Sequence, residues 1–195
     1  MEIPLSDREK KILLDLARQS ILDAIHEGPR PNVDLDSLPD RLKDPGASFV
    51  TLTRSGALRG CIGTLKHQFP LAQDVVLRAR AAATDDPRFP PLQADEFWDT
   101  EIEISVLTTP VPLQYGSPDE IPTLLVPGVD GVTITLGLKR ATFLPQVWQK
   151  VGDPEQFLTL LCQKAMLPAD AWKRGDLDIS IYHVESFHGP PTKEG

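Results

Sequence analysis

Cysteine is scarce: the 195 residues hold two, Cys61 and Cys162. They show neither a metal-ligand spacing nor a disulfide framework, so both are expected as reduced thiols. Basic charge is short as well, with 20 Lys and Arg against 28 Asp and Glu and a net charge of -8. That argues against the broad positive footprint by which a protein holds duplex nucleic acid. A local basic groove stays open, because Arg59, Lys66, Arg78, Arg80 and Arg88 lie close in sequence; solvated helix and loop charge is the plainer account of them. No apolar run approaches the length of a membrane span, and Met1-Glu2-Ile3-Pro4 leads into charge instead of a signal sequence. No nucleotide-binding or metal motif is present. These absences lead to the expectation of a soluble cytoplasmic protein. What the chain has is 41% hydrophobic residues, enough for the core of one large domain or two small ones.

Periodicity organises the rest. Ser6-Asp7-Arg8-Glu9 is a capping box, and Ile12, Leu13, Leu16, Ile21 and Ile25 behind it predict an amphipathic helix over 7–27. Residues 28–46 carry four prolines and many acids and read as a long covering loop. A hairpin follows over 47–63, turning at Arg54-Ser55-Gly56. A helix is expected from about 71 to 83, with Val75, Val76, Ala79, Ala82 and Ala83 giving a face of small residues that can pack close to a sheet. Thr84-Asp85-Asp86-Pro87-Arg88-Phe89-Pro90-Pro91 ends it in a stiff loop. Trp98 precedes the alternating strand Glu101-Ile102-Glu103-Ile104-Ser105-Val106-Leu107.

After a proline-rich connection the pattern begins again. A hairpin over 131–143, a helix capped by Asp153-Pro154-Glu155, Trp172, and Leu177-Asp178-Ile179-Ser180-Ile181 repeat the order hairpin, helix, tryptophan, strand. The predicted fold is therefore α+β: a mixed sheet covered by helices in α/β/α layers. It is a single domain with an internal duplication, the repeats covering about 47–109 and 129–186. A ligand-binding cleft is expected between the halves, and a flexible tail over 188–195. Phe143, Trp98, Trp148 and Trp172 are expected in the core.

The candidate site centres on Leu58-Arg59-Gly60-Cys61-Ile62-Gly63-Thr64. Glycine weakens a strand interior, so Gly60 and Gly63 imply a bulge or a close backbone approach, here assigned to a ligand. Cys61 beside Arg59 reads as a nucleophile or thioester-type carrier, or else as a small buried hydrophobe. Arg59 reads as a fork for a carboxylate or phosphate, or as an ion pair with Glu101 or Glu103. Asp86 is a candidate general base and Arg88 a candidate ligand-binding residue; the alternative is a capped loop with a surface arginine. Glu103, on one strand face with Glu101, is a candidate for acid/base work or a plain polar face. His67 is a further ligand-site candidate that could pair with Cys61. His183 and His188 lack metal-site spacing.

Together with Phe49-Val50-Thr51-Leu52, Gly128-Val129-Asp130-Gly131 and Thr142-Phe143-Leu144-Pro145-Gln146-Val147-Trp148, these motifs resemble the AMME-chromosomal-region (AMMECR) domain family, called AmmeMemoRadiSam system protein A in bacteria and archaea. The likeness runs from the first helix to the last strand. It departs at Met166, where relatives more often carry glycine. The resemblance implies an α+β fold with an internal repeat, and company with a Memo-type protein and a radical-SAM enzyme; it supplies no established reaction. The expectation is a ligand-binding or catalytic module, for a small anionic ligand or a protein-borne group, acting with those partners. The alternatives are a non-catalytic adaptor whose motif surface docks a partner, and a nucleic-acid-associated protein.

Overall fold

A computed structural model describes residues 4–29 and 31–189. The chain divides into two compact units, one of residues 1–107 with 185–195, the other of residues 108–184. The fold class is α+β, as expected, but the strands form two antiparallel sheets in place of one mixed sheet.

In the first unit, helix α1 (Asp7–Ile25) starts at a complete capping box: Ser6 Oγ accepts from Glu9 N, and Glu9 Oε2 accepts from Ser6 N at 2.8 Å. Its stripe of Leu13, Ala17, Ile21 and Ala24 is buried. A short helix α2 (Asp40–Lys43) and a 3-10 turn at Leu35–Ser37 lie in the segment expected as bare loop. Strands β1 (Pro45–Arg54) and β2 (Ala57–Gly63) make the hairpin; β3 (Phe69–Pro70) pairs with the start of β1. Helix α3 (Leu71–Thr84), the short α4 (Ala94–Phe97) and β4 (Thr100–Leu107) follow. The last strand, β9 (Val184–Gly189), joins the same sheet, whose order is β2-β1-β4-β9. The expected tail is thus strand as far as Gly189, and 190–195 fall outside the described residues. Val50, Leu52, Ile102 and Ile104 on one sheet face pack with the apolar faces of α1 and α3.

In the second unit, β5 (Val111–Pro112), α5 (Ile121–Leu124), β6 (Gly131–Leu136), β7 (Lys139–Phe143), α6 (Pro154–Lys164) and β8 (Asp178–Tyr182) give a sheet of order β5-β8-β6-β7. Asp153 caps α6 through its Oδ1, which accepts from Gln156 N at 2.7 Å. Phe157 stacks on Trp148 with ring centroids 3.7 Å apart, and the Trp148 indole donates to the Asp130 carbonyl at 2.7 Å. Trp148 and Trp172 are buried, whereas Trp98 is 37% exposed and not core. In each unit a hairpin, a helix, a tryptophan and a third strand follow in that order, and the third strand pairs with the first hairpin strand. Among the described residues no helix is long and apolar enough to cross a membrane.

Candidate functional site

The β1–β2 turn has Ser55 and Gly56 at φ of 51° and 77°, the pair of left-handed residues that a tight hairpin needs. Beyond it Thr53 pairs with Leu58, and Leu52 with Gly60. Arg59 is the extra residue, so a β-bulge falls inside the motif and re-aims its side chain.

The Arg59 guanidinium is filled by the protein itself. Nε donates to Glu96 Oε1 at 2.9 Å and Nη2 to Glu96 Oε2 at 2.8 Å. Nη1 reaches the Pro90 carbonyl at 2.9 Å, and Nη2 also reaches that of Pro91 at 3.3 Å. The partner is Glu96, where the sequence pointed to Glu101 or Glu103. Glu96 also accepts from Gln93 N at 2.9 Å. The Arg59 hydrogen bonds, with that amide and the nearby Arg54, bring its carboxyl down from 4.5 to about 2.

Asp86 forms a second lock, on the strand's outer edge. Its Oδ2 accepts from Cys61 N at 2.8 Å, and Arg88 Nη2 donates to the Cys61 carbonyl at 3.2 Å. Arg88 grips the same carboxylate through Nε at 2.9 Å and Nη2 at 2.7 Å, and its own amide donates to Oδ1 at 3.1 Å. Asp86 is buried, and the Arg88 bonds hold its carboxyl well below the usual range. A carboxylate so engaged stays ionised near neutrality and does not take up a proton as a general base would. Arg88 is over half exposed, and its Nη1 has no hydrogen-bond partner among the described residues.

Both glycines have an internal reason. A Cβ on Gly60 would stand 2.1 Å from the Ala82 carbonyl oxygen of α3, and one on Gly63 would stand 2.2 Å from the Phe49 ring. The close approach they allow is made by the protein's own chain.

The Cys61 thiol remains. It is partly exposed and lies on the sheet face opposite Val50, Leu52 and Ile104. Thr51 Oγ1 donates to its sulfur at 3.2 Å. Cys61 pairs with Thr51, and Thr51 with Glu103, so thiol, hydroxyl and carboxylate make one row across three strands. Two strand spacings put Cys61 and Glu103 about 10 Å apart at Cα. Glu103 is half-buried and Glu101 exposed. Ser105 Oγ lies 2.8 Å from Ser186 Oγ and 3.5 Å from Glu103. His67 is elsewhere: its Nε2 lies 3.4 Å from the Leu107 carbonyl. Leu107 pairs with Ala47, four residues or about 13 Å along the strand from the Cys61 row, so no Cys–His pair is assembled. His183 Nε2 lies 3.0 Å from Asp130 Oδ1 in the second unit. Among the described residues no group of three or more His, Cys, Asp or Glu side chains could hold a metal ion. Cys162 is fully buried, which pushes its thiol up.

Sequence reasoning missed Glu96 and Thr51. Glu96 carried the signal of an acid in the first turn of a short helix, which says nothing of its arginine partner. Thr51 was readable as a strand residue, and the cross-strand register alone makes it the thiol's neighbour.

Residues 14–187 match the AMMECR1 family. A protein of Methanothermobacter thermautotrophicus is 40% identical over 187 residues, which cover 95% of this chain and 96% of that protein. One from Thermofilum pendens is 37% identical over 194 residues, covering 94% and 91%. The crystal structure of an uncharacterized Pyrococcus horikoshii protein superposes with a TM-score of 0.82 at 35% identity, covering 96% of this chain and 95% of that one.

Proposed function

This chain belongs to the AMMECR1 family, and from that premise we propose that it is a cytoplasmic ligand-binding or catalytic module whose working surface is the face of the first sheet around Cys61. One observation carries the reading. The Cys61 backbone is fixed on both sides, amide by Asp86 and carbonyl by Arg88, while its thiol stays partly exposed. Such pre-positioning is what a nucleophile or a carrier thiol needs. Glu103 stands within reach of a ligand spanning the row, and Arg88 offers its free Nη1 to an anionic group. Gly60 lets the strand lie close against the Ala82 carbonyl behind this face, Gly63 makes room for the Phe49 ring on it, and Arg59 ties the motif to Glu96. The Memo-type and radical-SAM proteins are the partners that would deliver or receive the bound group.

The test is alkylation of Cys61 in the folded protein, with Cys162 as internal reference. Cys61 is expected to react with iodoacetamide in the native state, and Cys162 only after unfolding. Native-state resistance of Cys61 would refute the reading.

A second reading is an adaptor whose motif face docks a partner. Leu58, the motif's first residue, favours it by standing 43% exposed on the same sheet face. Leu58→Ser would then abolish co-purification with the Memo-type protein and leave Cys61 alkylation unchanged. Nucleic-acid binding finds little support. Arg59, Arg78 and Arg88 grip Glu96, Asp74 and Asp86, and Arg80 bonds the Gly28 and Pro29 carbonyls. The shared order of elements in the two units supports an origin by duplication.

A further inference from the structure

The second unit carries a surface feature that the Cys61 site does not use. The β6–β7 hairpin turns at Gly137, with φ of 58°, and Leu138. Leu138 is 105% exposed, so its side chain packs on nothing. The C-terminal end of α6 lies beside it. There Leu167 N donates to the Cys162 carbonyl at 2.9 Å and Met166 N to that of Gln163 at 2.9 Å, a closing pattern that puts its left-handed residue at Met166. Met166 has φ of 57° and is 79% exposed. Glycine is favoured at such a cap, and a side chain there is strained by roughly 1–2 kcal/mol. An exposed apolar side chain held in strain, with no contact to account for it, points to a use outside the fold.

The two apolar tips are joined, and positive charge runs from them along the adjoining strand. Lys139 Nζ donates to the Met166 carbonyl at 2.7 Å, which ties the hairpin turn to the helix end. Lys164 Nζ donates to the Thr142 carbonyl at 3.0 Å. Arg140 is exposed and has no partner among the described residues. None of these three cations is paired with a carboxylate among the described residues, in a protein whose net charge is -8. The nearest acid in register is Asp178, two strands across from Arg140 through Thr135.

We propose that the tip formed by Leu138 and Met166, with Lys139, Arg140 and Lys164 around it, docks this protein on an anionic phospholipid surface. Charge complementarity selects the occupant. Three cations free of carboxylates meet a diffuse negative layer without needing matched geometry, and two protruding apolar side chains enter the interface among the headgroups. The cluster lies in the second unit and shares no residue with Cys61 or its locks in the first, so the proposal stands apart from the reading of that site.

The experiment is co-sedimentation of the full chain with phosphatidylcholine vesicles and with vesicles containing roughly one-third phosphatidylserine, at low and high salt. Binding is expected to the phosphatidylserine vesicles alone and to fade with salt. Arg140→Gln, which breaks no hydrogen bond, is expected to weaken it about five-fold. Leu138→Ser is expected to weaken it several-fold without changing the melting temperature. Met166→Gly separates docking from folding, because it removes the apolar tip and relieves the left-handed strain. It is expected to bind more weakly while melting about 2–4 °C higher. Three results would overturn the proposal: no preference for phosphatidylserine at low salt, binding that all three variants leave unchanged, or vesicle binding absent while polyglutamate is bound through the same residues. The last would make the patch a dock for an acidic protein.

Discussion

Glu96→Gln tests whether the Arg59 lock holds the motif in place. The wild-type carboxyl is moved from 4.5 to about 2. That corresponds to about 3.4 kcal/mol in favour of the ionised form in the fold. The pair is not fully sealed, with side chains 13% and 15% exposed, so screening trims the figure to about 1.5–2 kcal/mol. The sign follows from the depressed value. The stabilisation is complete above the unfolded-state 4.5 and is lost as pH falls through about 2. About one quarter of it remains at pH 2.5. The glutamine variant keeps the shape but cannot titrate, and it leaves the guanidinium with weaker acceptors. Urea unfolding should therefore show it about 2 kcal/mol less stable than wild type at pH 7, with the gap closing to under about 1 kcal/mol at pH 2.5. Asp86 titrates in the same direction in both proteins, so it drops out of the difference. An equal gap at the two pH values, or no gap at pH 7, would refute the assignment of Glu96 as the ionised partner of Arg59.

Three further outcomes are expected. Gly60→Ala should cost about 3 kcal/mol in denaturant unfolding, at the upper end for overpacking, because the clash is with the Ala82 backbone carbonyl and no rotamer relieves it. Asp86→Asn should change the rate of Cys61 alkylation in the folded protein and leave Cys162 protected; an unchanged Cys61 rate would mean that the Asp86 contact to its amide does not fix the thiol's position. Thr51→Val, which keeps the shape of the side chain, should slow Cys61 alkylation by removing the hydroxyl that holds the sulfur in place, with stability altered by no more than about 1 kcal/mol.

Local pattern made the fold readable and left the site half-hidden. The capping box at Ser6, the turn at Ser55-Gly56 and the alternation from Glu101 to Leu107 each encode their element within a few residues, and each appears where the sequence puts it. Strand β9 escaped notice because Val184–Gly189 alternates weakly; it is strand by virtue of a place beside β4, a long-range fact. The two glycines signalled close approach correctly, but sequence cannot say whose atoms approach, and here they are Ala82 and Phe49. The Arg59 partner failed for the same reason. Glu101 and Glu103 were the nearest acids on a strand, while the bulge turns Arg59 toward Glu96 instead.

The motif and the proline-stiffened loop are two halves of one device. An arginine of the strand reaches the loop's carbonyls and Glu96, and an arginine of the loop reaches the strand's carbonyl and Asp86. Strand β2 is an edge, and this arrangement covers part of its backbone. Edge protection alone does not require two arginine–carboxylate pairs, since buried ion pairs add little net stability over apolar packing of similar volume. Their distinctive effect is geometric: bidentate forks fix direction as well as distance. The Asp86–Arg88 pair fixes the amide and carbonyl of Cys61 on the strand, and the side chain between them is the partly exposed thiol. If the device served the fold alone, Cys61→Ala would leave every partner and ligand interaction intact, and Asp86→Asn would act on stability without touching reactivity. If it serves the thiol, loosening the lock should move Cys61 chemistry more than it moves the unfolding midpoint.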